Sequence, residues 1–104
     1  MDRFNYHSHH PVTSEFEAGG RVYRKISESD THYFFSVSPE TGTDFYEIFE
    51  KRCYTTNGKT FLSSTLSEGD HMYPVDRDFG VWAWCYSDYG YAIEKWNEKN
   101  DIKN

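Results

Sequence analysis

Three runs between residues 21 and 54 show patterns typical of β-strands, among them the period-two alternation of a strand with one buried and one solvated face. The alternation runs over residues 21–26, and residues 32–38 are rich in aromatic and β-branched side chains between polar breaks. Turn-forming residues at 39–43 precede a third such run over 44–54. We therefore expect three strands, the last two joined as a hairpin.

A second hairpin is predicted around Asn57 and Gly58, because this pair suits the positive φ angles of a two-residue type I′ turn. The flanking residues 54–56 and 59–62 would form its strands. Residues 63–78 are polar and irregular, with Gly and Pro among them, and we interpret them as a long surface loop. No regular element is expected until the chain becomes apolar again.

After Ser87 the period of the apolar residues changes from two to about 3.6, which indicates a helix from about residue 88 to residue 100. Ser87 or Asp88 can cap its first turn. The stripe that would face the sheet comprises Tyr89, Ala92, Ile93, Trp96 and Asn100. An antiparallel sheet of four to five strands with one C-terminal helix packed on one face makes an α+β fold.

Residues 1–18 are predicted to be a flexible N-terminal arm, because the run is polar, has no period and ends at the pair Gly19-Gly20. Residues 19–104 would then form a single α+β domain with one core. No stretch has the length and hydropathy of a signal peptide or of a membrane-spanning helix. We therefore expect a cytoplasmic protein.

Composition decides whether such a chain can fold at all. Leu, Ile and Val number only eleven, and with a net charge of −6 this scarcity suggests disorder. Nine Tyr, eight Phe and three Trp reverse that inference, since each aromatic side chain can bury about 150–250 Å². We expect a folded domain with an aromatic core.

Cys53 and Cys85 lie within apolar strand patterns and lack the C-x-x-C spacing of redox or zinc sites. We expect both to be buried, unlinked thiols in a reducing compartment. His7, His9 and His10 could hold a transition metal weakly, but four fixed ligands are not at hand. The sequence therefore predicts no metal site and no cofactor.

The chain contains no catalytic motif of a known kind. It has no G-x-S-x-G elbow, no H-E-x-x-H pair and no G-x-x-x-x-G-K phosphate loop. Asp78-Phe79-Gly80 matches the metal-binding tripeptide of kinases, yet the chain is too short for two kinase lobes and lacks an H-R-D segment. We expect a protein that is not an enzyme.

The segment before the helix carries a row of large aromatic side chains. In an extended chain Trp82, Trp84 and Tyr86 share one side, while Ala83 and Cys85 share the other and would fit under the helix. The aromatic row then either fills the core or forms an exposed interaction surface. The scarcity of aliphatic residues favours the core.

Acidic side chains are concentrated in two stretches. Residues 26–50 hold six acids and no Lys or Arg, and residues 68–94 hold six acids and one Arg. Such a field repels phosphate, so we expect no direct nucleic-acid binding, and it attracts a basic surface on another protein. The residues predicted to bind this partner are Glu40, Asp44, Glu47, Glu50, Asp70, Tyr73, Asp76, Asp78, Trp82 and Trp84.

The last third of the chain combines Y-P at residues 73–74, F-G-V-W-A-W-C-Y at 79–86 and A-x-x-x-W-N-E at 92–98. These motifs resemble the C-terminal half of small uncharacterised proteins from bacteriophages and prophages. The resemblance implies a shared α+β core and an accessory protein of a mobile element, a group that often works by occluding a host enzyme.

The sequence therefore favours a non-enzymatic factor that binds a host protein with a basic surface and does not bind a membrane. Inhibition of a host nuclease or of another nucleic-acid-handling enzyme, the role of anti-CRISPR proteins among others, would fit this description. The alternative is a small-molecule or nucleotide-binding module with an aromatic-lined pocket, followed by a minor hydrolase.

Overall fold

The computed structural model describes residues 12–54, 60–62 and 71–101 of the chain. Along these residues run seven strands, a short 3₁₀ helix and an α-helix. Their bounds are β1 Glu15–Ala18, β2 Arg21–Glu28, β3 His32–Ser38, β4 Phe45–Glu50, β5 Arg52–Tyr54, β6 Thr60–Leu62, the 3₁₀ helix Asp76–Asp78, β7 Ala83–Tyr86 and α1 Tyr89–Lys99.

Five strands form one antiparallel sheet in the order β1-β2-β3-β4-β7. The predicted strand over residues 44–54 is divided at Lys51, because β4 stays in this sheet while β5 pairs with β6 in a second one. α1 packs on β4 and β7. The predicted α+β fold, with an antiparallel sheet of four to five strands and one C-terminal helix on one face, is confirmed.

The pair Gly19-Gly20 joins β1 to β2 as a two-residue turn. The two glycines have φ angles of 58° and 77°, and Ala18 pairs with Arg21 across the turn. Positive φ at both central residues is what a type I′ hairpin requires, and glycine adopts it at little steric cost. The glycine pair therefore continues the sheet instead of ending an arm.

The predicted N-terminal arm is wrong over its last residues. Residues 12–18 include β1, and the ring of Phe16 stacks on Tyr23 with 4.7 Å between centroids. Val12 is fully buried. These few apolar side chains hold the segment on the sheet, although most of its residues are polar. Residues 1–11 lie outside the described residues.

The two faces of the sheet bury different clusters, because neighbouring residues of a strand point to opposite faces. The larger cluster defines what we call the aromatic face: Val12, Ala18, Tyr23, Tyr33, Phe35, Val37, Phe49, Tyr73, Val75, Trp82 and Ala83, bordered by Phe16, Phe45 and Phe79. The smaller cluster defines the helix face: Phe34, Ile48, Ala92 and Trp96, bordered by Tyr46, Trp84, Tyr86 and Ile93.

α1 begins at a capping residue and buries one stripe of its surface. The carboxylate of Asp88 accepts a hydrogen bond from the amide of Tyr91 at 3.1 Å, and Ala92 and Trp96, one turn apart, are buried. The predicted cap and stripe are thus confirmed. In the described part of the chain, no helix combines the length and the apolar character that crossing a membrane requires.

The prediction for the aromatic row near β7 is wrong about which side of the strand faces the helix. Trp84 and Tyr86 lie on the helix face, and the small Ala83 lies on the aromatic face. The strand can place bulky rings under the helix because α1 contributes the small Ala92 at this contact. Trp82 precedes the strand and is 4% exposed within the cluster of the aromatic face.

The hairpin of β5 and β6 is confirmed, with a register that differs from the predicted one. Tyr54 pairs with Thr60, whereas a two-residue turn at Asn57-Gly58 in an uninterrupted ladder would pair Tyr54 with Phe61. The turn itself, residues 55–59, lies outside the described residues.

The predicted surface loop over residues 63–78 is wrong in its second half. Tyr73 and Val75 are buried, and the amide of Val75 donates a hydrogen bond to the carboxylate of Asp78 at 2.9 Å. Residues 71–78, which we call the cover, pack over the aromatic face, since α1 lies on the other face of the sheet. The first half of the predicted loop, residues 63–70, lies outside the described residues.

Removing residues 1–18 should destabilise the fold far more than removing residues 1–11. The longer deletion takes away the buried Val12 and the Phe16 ring that stacks on Tyr23, at a cost of about 2 kcal/mol or more. In a domain of this size the melting temperature should fall by roughly 8 °C or more. Thermal unfolding of both truncations, followed by circular dichroism, measures the difference, and equal melting temperatures would contradict a structural role for β1.

Candidate functional site

The residues predicted to bind a partner do not share one surface. Glu47, Tyr73 and Trp82 are 0%, 0% and 4% exposed, so they cannot touch a partner of the folded protein. Their assignment to a binding surface is therefore corrected: they belong to the core. Glu40 and Asp44 are exposed in the turn between β3 and β4.

The remaining predicted residues are dispersed. Glu50 ends β4, and its carboxylate is held in an ion pair at 2.6 Å. Asp76 and Asp78 belong to the 3₁₀ helix that helps to cover the aromatic face. Trp84 borders the cluster under α1. Asp70 lies outside the described residues.

Glu47 is a core acid held by a hydrogen bond. The hydroxyl of Tyr73 donates to Glu47 Oε1 at 2.8 Å, and the Tyr73 ring packs against Phe49 with 4.5 Å between centroids. Glu47 points inward because it shares a face of β4 with Phe45 and Phe49. A buried carboxylate without such a donor would cost several kcal/mol, so this bond ties the cover to the sheet.

A second buried polar pair joins the same cover to the sheet. The Tyr33 hydroxyl and His71 Nδ1 are 2.7 Å apart, and both side chains are fully buried. The main chain adds a hydrogen bond from the amide of Val12 to the carbonyl of His71 at 2.9 Å. Because these groups are inaccessible, they hold the cover in place and offer no chemistry to a substrate.

The described residues cover the helix face only in part, since α1 packs on β4 and β7. The strand register places one row of side chains across all five strands beside the helix: Glu15, Arg24, Ser36, Tyr46 and Tyr86. Four further exposed residues belong to the same end of the sheet: Glu17 near the end of β1, Glu40 and Asp44 in the turn between β3 and β4, and Tyr89 at the start of α1. We call these nine residues the turn-end surface.

Three tyrosines form one border of the turn-end surface. Tyr46 and Tyr86 lie opposite each other on β4 and β7, and both are half-buried. Tyr89, the first residue of α1, meets Tyr46 edge-on with 5.3 Å between ring centroids and is 47% exposed. Each ring therefore presents rigid apolar area and a hydroxyl to solvent at a small cost in side-chain entropy.

The acids of the turn-end surface are mostly not neutralised. Among the described residues, Glu17, Glu40 and Asp44 form no ion pair. Arg24, the base of the row, is already held by Glu15 at 3.0 Å. The surface therefore carries a net negative charge, even when the adjoining Arg21 is counted, and this charge produces a negative potential at this end of the sheet.

An open hollow of about 400 Å³ adjoins this surface. Its walls are Arg21, Thr43, Asp44, Phe45, Cys85 and Ser87. The guanidinium of Arg21 lies over the Phe45 ring at 5.9 Å, and the charges of Arg21 and Asp44 are opposite, so the hollow does not select a ligand by charge. With a single aromatic wall, it is not the aromatic-lined pocket that a small-molecule module would need.

Metal-binding and thiol chemistry can be located in part. Among the described residues, no group of three or more potential metal ligands is gathered, and His7, His9 and His10 lie outside them. Cys53 and Cys85 are thiols, as predicted. Cys53 is buried, but the expectation that both are buried is wrong for Cys85, which is exposed at the open hollow beyond the cover.

Sequence analysis missed Glu17 and the three tyrosines of the turn-end surface. Glu17 was placed in an arm, although Gly19-Gly20 followed by alternating residues is a recognised signal of a hairpin. Tyr46, Tyr86 and Tyr89 are far apart in sequence, and only the register of β4 with β7 brings them together.

Comparisons of the chain with protein-family models, with curated proteins and with solved structures give no match. The function therefore has to be argued from the residues of the site.

Cys85 should react rapidly with a thiol reagent under native conditions, and Cys53 should not. Exposure controls access to the thiol, and only Cys85 is exposed. Intact-mass spectrometry should show one adduct per chain at short times and none for Cys85→Ser. Two adducts forming at the same rate would contradict the burial of Cys53.

Tyr73→Phe should lower the free energy of unfolding by about 1–3 kcal/mol, because it removes the hydroxyl that donates to the buried carboxylate of Glu47. Denaturant unfolding measures the change. Tyr89→Phe, at a tyrosine that is 47% exposed, is the matched control and should stay within about 0.5 kcal/mol of the wild type. The hydrogen bond contributes nothing if the two variants unfold at the same midpoint.

Proposed function

We propose that this protein is a non-enzymatic binding factor that docks its turn-end surface on a basic surface of another protein. One observation supports this proposal best. Carboxylates without ion pairs, Glu17, Glu40 and Asp44, lie at the same end of the sheet as three partly exposed tyrosines, Tyr46, Tyr86 and Tyr89.

The carboxylates would act first, during the encounter. Exposed charges attract an oppositely charged surface over a distance that salt screens within about 8 Å at physiological ionic strength. Attraction of this kind mainly raises the association rate and suppresses wrong partners, and it adds little to affinity. Glu40 and Asp44 suit this role because both are exposed in one turn.

The tyrosines would supply affinity. Tyrosine is enriched among the residues that dominate binding energy, because it buries a large rigid ring and can still hydrogen-bond through its hydroxyl. Tyr46 and Tyr86 are held by the strands, and Tyr89 is held against Tyr46. Such preorganised side chains lose little conformational freedom on binding.

A basic protein surface that handles nucleic acid is a suitable partner, since the charges that bind phosphate also bind clustered carboxylates. The proposal therefore includes inhibition of a host nucleic-acid-handling enzyme by occlusion, as an accessory protein of a mobile element, without direct binding of DNA or RNA. The setting that we propose is the reducing cytoplasm, where both cysteines would stay thiols.

Reversing the charge of Glu40 and Asp44 should slow association with the partner. The double variant Glu40→Lys/Asp44→Lys removes the attraction at the turn-end surface, so we expect an association rate roughly tenfold lower at low salt and a weaker salt dependence. The matched control Asp30→Lys/Glu94→Lys changes the net charge equally at exposed acids elsewhere and should alter the rate less than about twofold.

The experiment starts with a pull-down from a lysate of the source organism, followed by kinetic measurement with the purified partner. A stoichiometric partner retained by the control variant and lost or slowed with the turn-end variant is the expected result. Equal rates for the two double variants, or a gel shift of DNA or RNA by the wild type, would refute the proposal.

Tyr89→Ala should weaken the complex at least tenfold, about 1.4 kcal/mol, mainly through faster dissociation. Tyr91→Ala is the matched control, since two residues along a helix turn the side chain by about 200° away from the sheet and Tyr91 is 64% exposed. It should change the affinity less than about threefold. Equal losses of affinity in the two variants would contradict the role of Tyr89 as an anchor of the turn-end surface.

A further inference from the structure

His32 is a buried titratable group that the turn-end surface does not use. It begins β3 and is 6% exposed. Its Nδ1 lies 2.7 Å from the hydroxyl of Thr31, while its Nε2 is buried and has no hydrogen-bond partner. The ring lies 6.3 Å from the Trp84 ring, between centroids. One nitrogen of the imidazole is thus hydrogen-bonded, and the other is buried without a hydrogen-bond partner.

The sheet offers His32 one carboxylate. Glu50 is its register partner on β4, but Arg52 holds the Glu50 carboxylate with two contacts of 2.6 and 2.7 Å. Lys51 also lies close to His32, because its amide donates a hydrogen bond to the carbonyl of Thr31 at 2.8 Å, but its ammonium is held by Glu28 at 2.7 Å. Both contacts of Arg52 are to Glu50 Oε1, so the carboxylate that pairs with His32 in register is already shared with a guanidinium.

The helix offers His32 mostly positive charge. Lys99 lies over the Trp84 ring at 4.2 Å and Lys95 at 5.8 Å. The carbonyl end of α1 would favour a cation, but Lys99 already occupies that position. Asp30 and Asp101 line an open hollow together with Lys99 and are exposed to solvent, so their effect on the imidazole is screened.

These surroundings favour the neutral imidazole. Burial lowers the pKa of His32, Glu50 opposes the shift and Lys99 adds to it. Histidine in an unfolded chain titrates near pH 6.5. Between the lowered pKa and that value, the unfolded chain binds a proton that the folded chain does not. The contribution of the neutral imidazole to stability is therefore fully present above about pH 6.5. As the pH falls through this window, the equilibrium constant for unfolding rises by up to about tenfold per pH unit.

We propose that His32 is a proton-operated latch that keeps the C-terminal half of α1 on the sheet at neutral pH and releases it in mild acid. Protonation charges the ring and makes both of its nitrogens donors, and Nε2 has no hydrogen-bond partner. The imidazolium gains a hydrogen bond only by reaching water. The end of α1 lies beside this part of the chain, because Lys99 covers Trp84 and lines one hollow with Thr31. Movement of this end of the helix would therefore admit water to the ring.

The latch can be separated from other acid-sensitive groups. Hydrogen bonding to Lys51 lowers the pKa of Glu28, so the stability contributed by this ion pair is present above its ordinary pKa of 4.5 and is lost only as the pH falls below that value. Measurements between about pH 7.5 and pH 5.5 therefore avoid this ion pair, and the variant His32→Phe separates His32 from the other four histidines of the chain.

The test is an NMR titration of the isolated protein combined with thermal unfolding. In the wild type, the His32 ring protons should titrate with a midpoint below about 6.5, and the signals of Lys99 and the Trp84 indole should change with the same midpoint. His32→Phe should flatten the decline in melting temperature over this range. A midpoint at or above about 6.5, or an unchanged decline in a folded variant, would overturn the proposal.

A second variant keeps the test informative if His32→Phe does not fold. Lys99→Gln removes the cation over Trp84 and should raise the midpoint of His32 measurably, whereas Glu94→Gln, at an exposed acid of the same helix, should leave it unchanged. An unchanged midpoint in Lys99→Gln would show that the helix does not act on His32 and would refute the latch.

The latch also has a consequence for binding, because α1 carries Tyr89 at its other end. Acidification to about pH 5.5 should weaken a partner that docks on the turn-end surface, and His32→Phe should remove that pH dependence. This consequence rests on the proposed function. The titration of the isolated protein does not, so failure of the latch and failure of the binding proposal give different results.

Discussion

The contact that the rest of the structure depends on is that of Tyr73 with the aromatic face. Its ring packs against Tyr23 at 5.0 Å, Phe35 at 5.4 Å and Phe49 at 4.5 Å, and its hydroxyl satisfies Glu47. A chain with so few aliphatic side chains has to close its core with aromatic rings, each of which buries a large area. Without this cover the larger of the two clusters would face water.

A consequence of this arrangement is that, among the described residues, α1 alone closes the opposite face. The helix has 11 residues and packs on β4 and β7, so no described element covers the helix face of β1 and β2. Polar side chains there remain solvated, and the tyrosines at the border are half covered. The same helix therefore presents Tyr89 to solvent at one end. At its other end it places Lys99 over the Trp84 ring, which neighbours the His32 ring.

The candidate site could be predicted only in part. The clusters of acidic residues in the sequence point correctly to Glu40 and Asp44, which are exposed. The same clusters assign the buried Glu47 to that surface, although Phe45 and Phe49 flank it at a period of two and so share its face of the strand. Charge is a property of each residue, whereas exposure depends on what packs over that residue. The aromatic anchors were misassigned for the same reason, since Trp82 lies in a core that a coil segment closes.

By itself, the sequence determined the local geometry: strands from the period of two, the cap and buried stripe of α1 from the period of 3.6, and an aromatic core from composition. Only the tertiary structure decided that β7 lies beside β4, that residues 71–78 are a cover, and that Glu17 and Asp44 share one end of the sheet. Local patterns record interactions within a few residues. Strand order and burial depend on contacts between residues far apart in the chain, whose energies no local pattern contains.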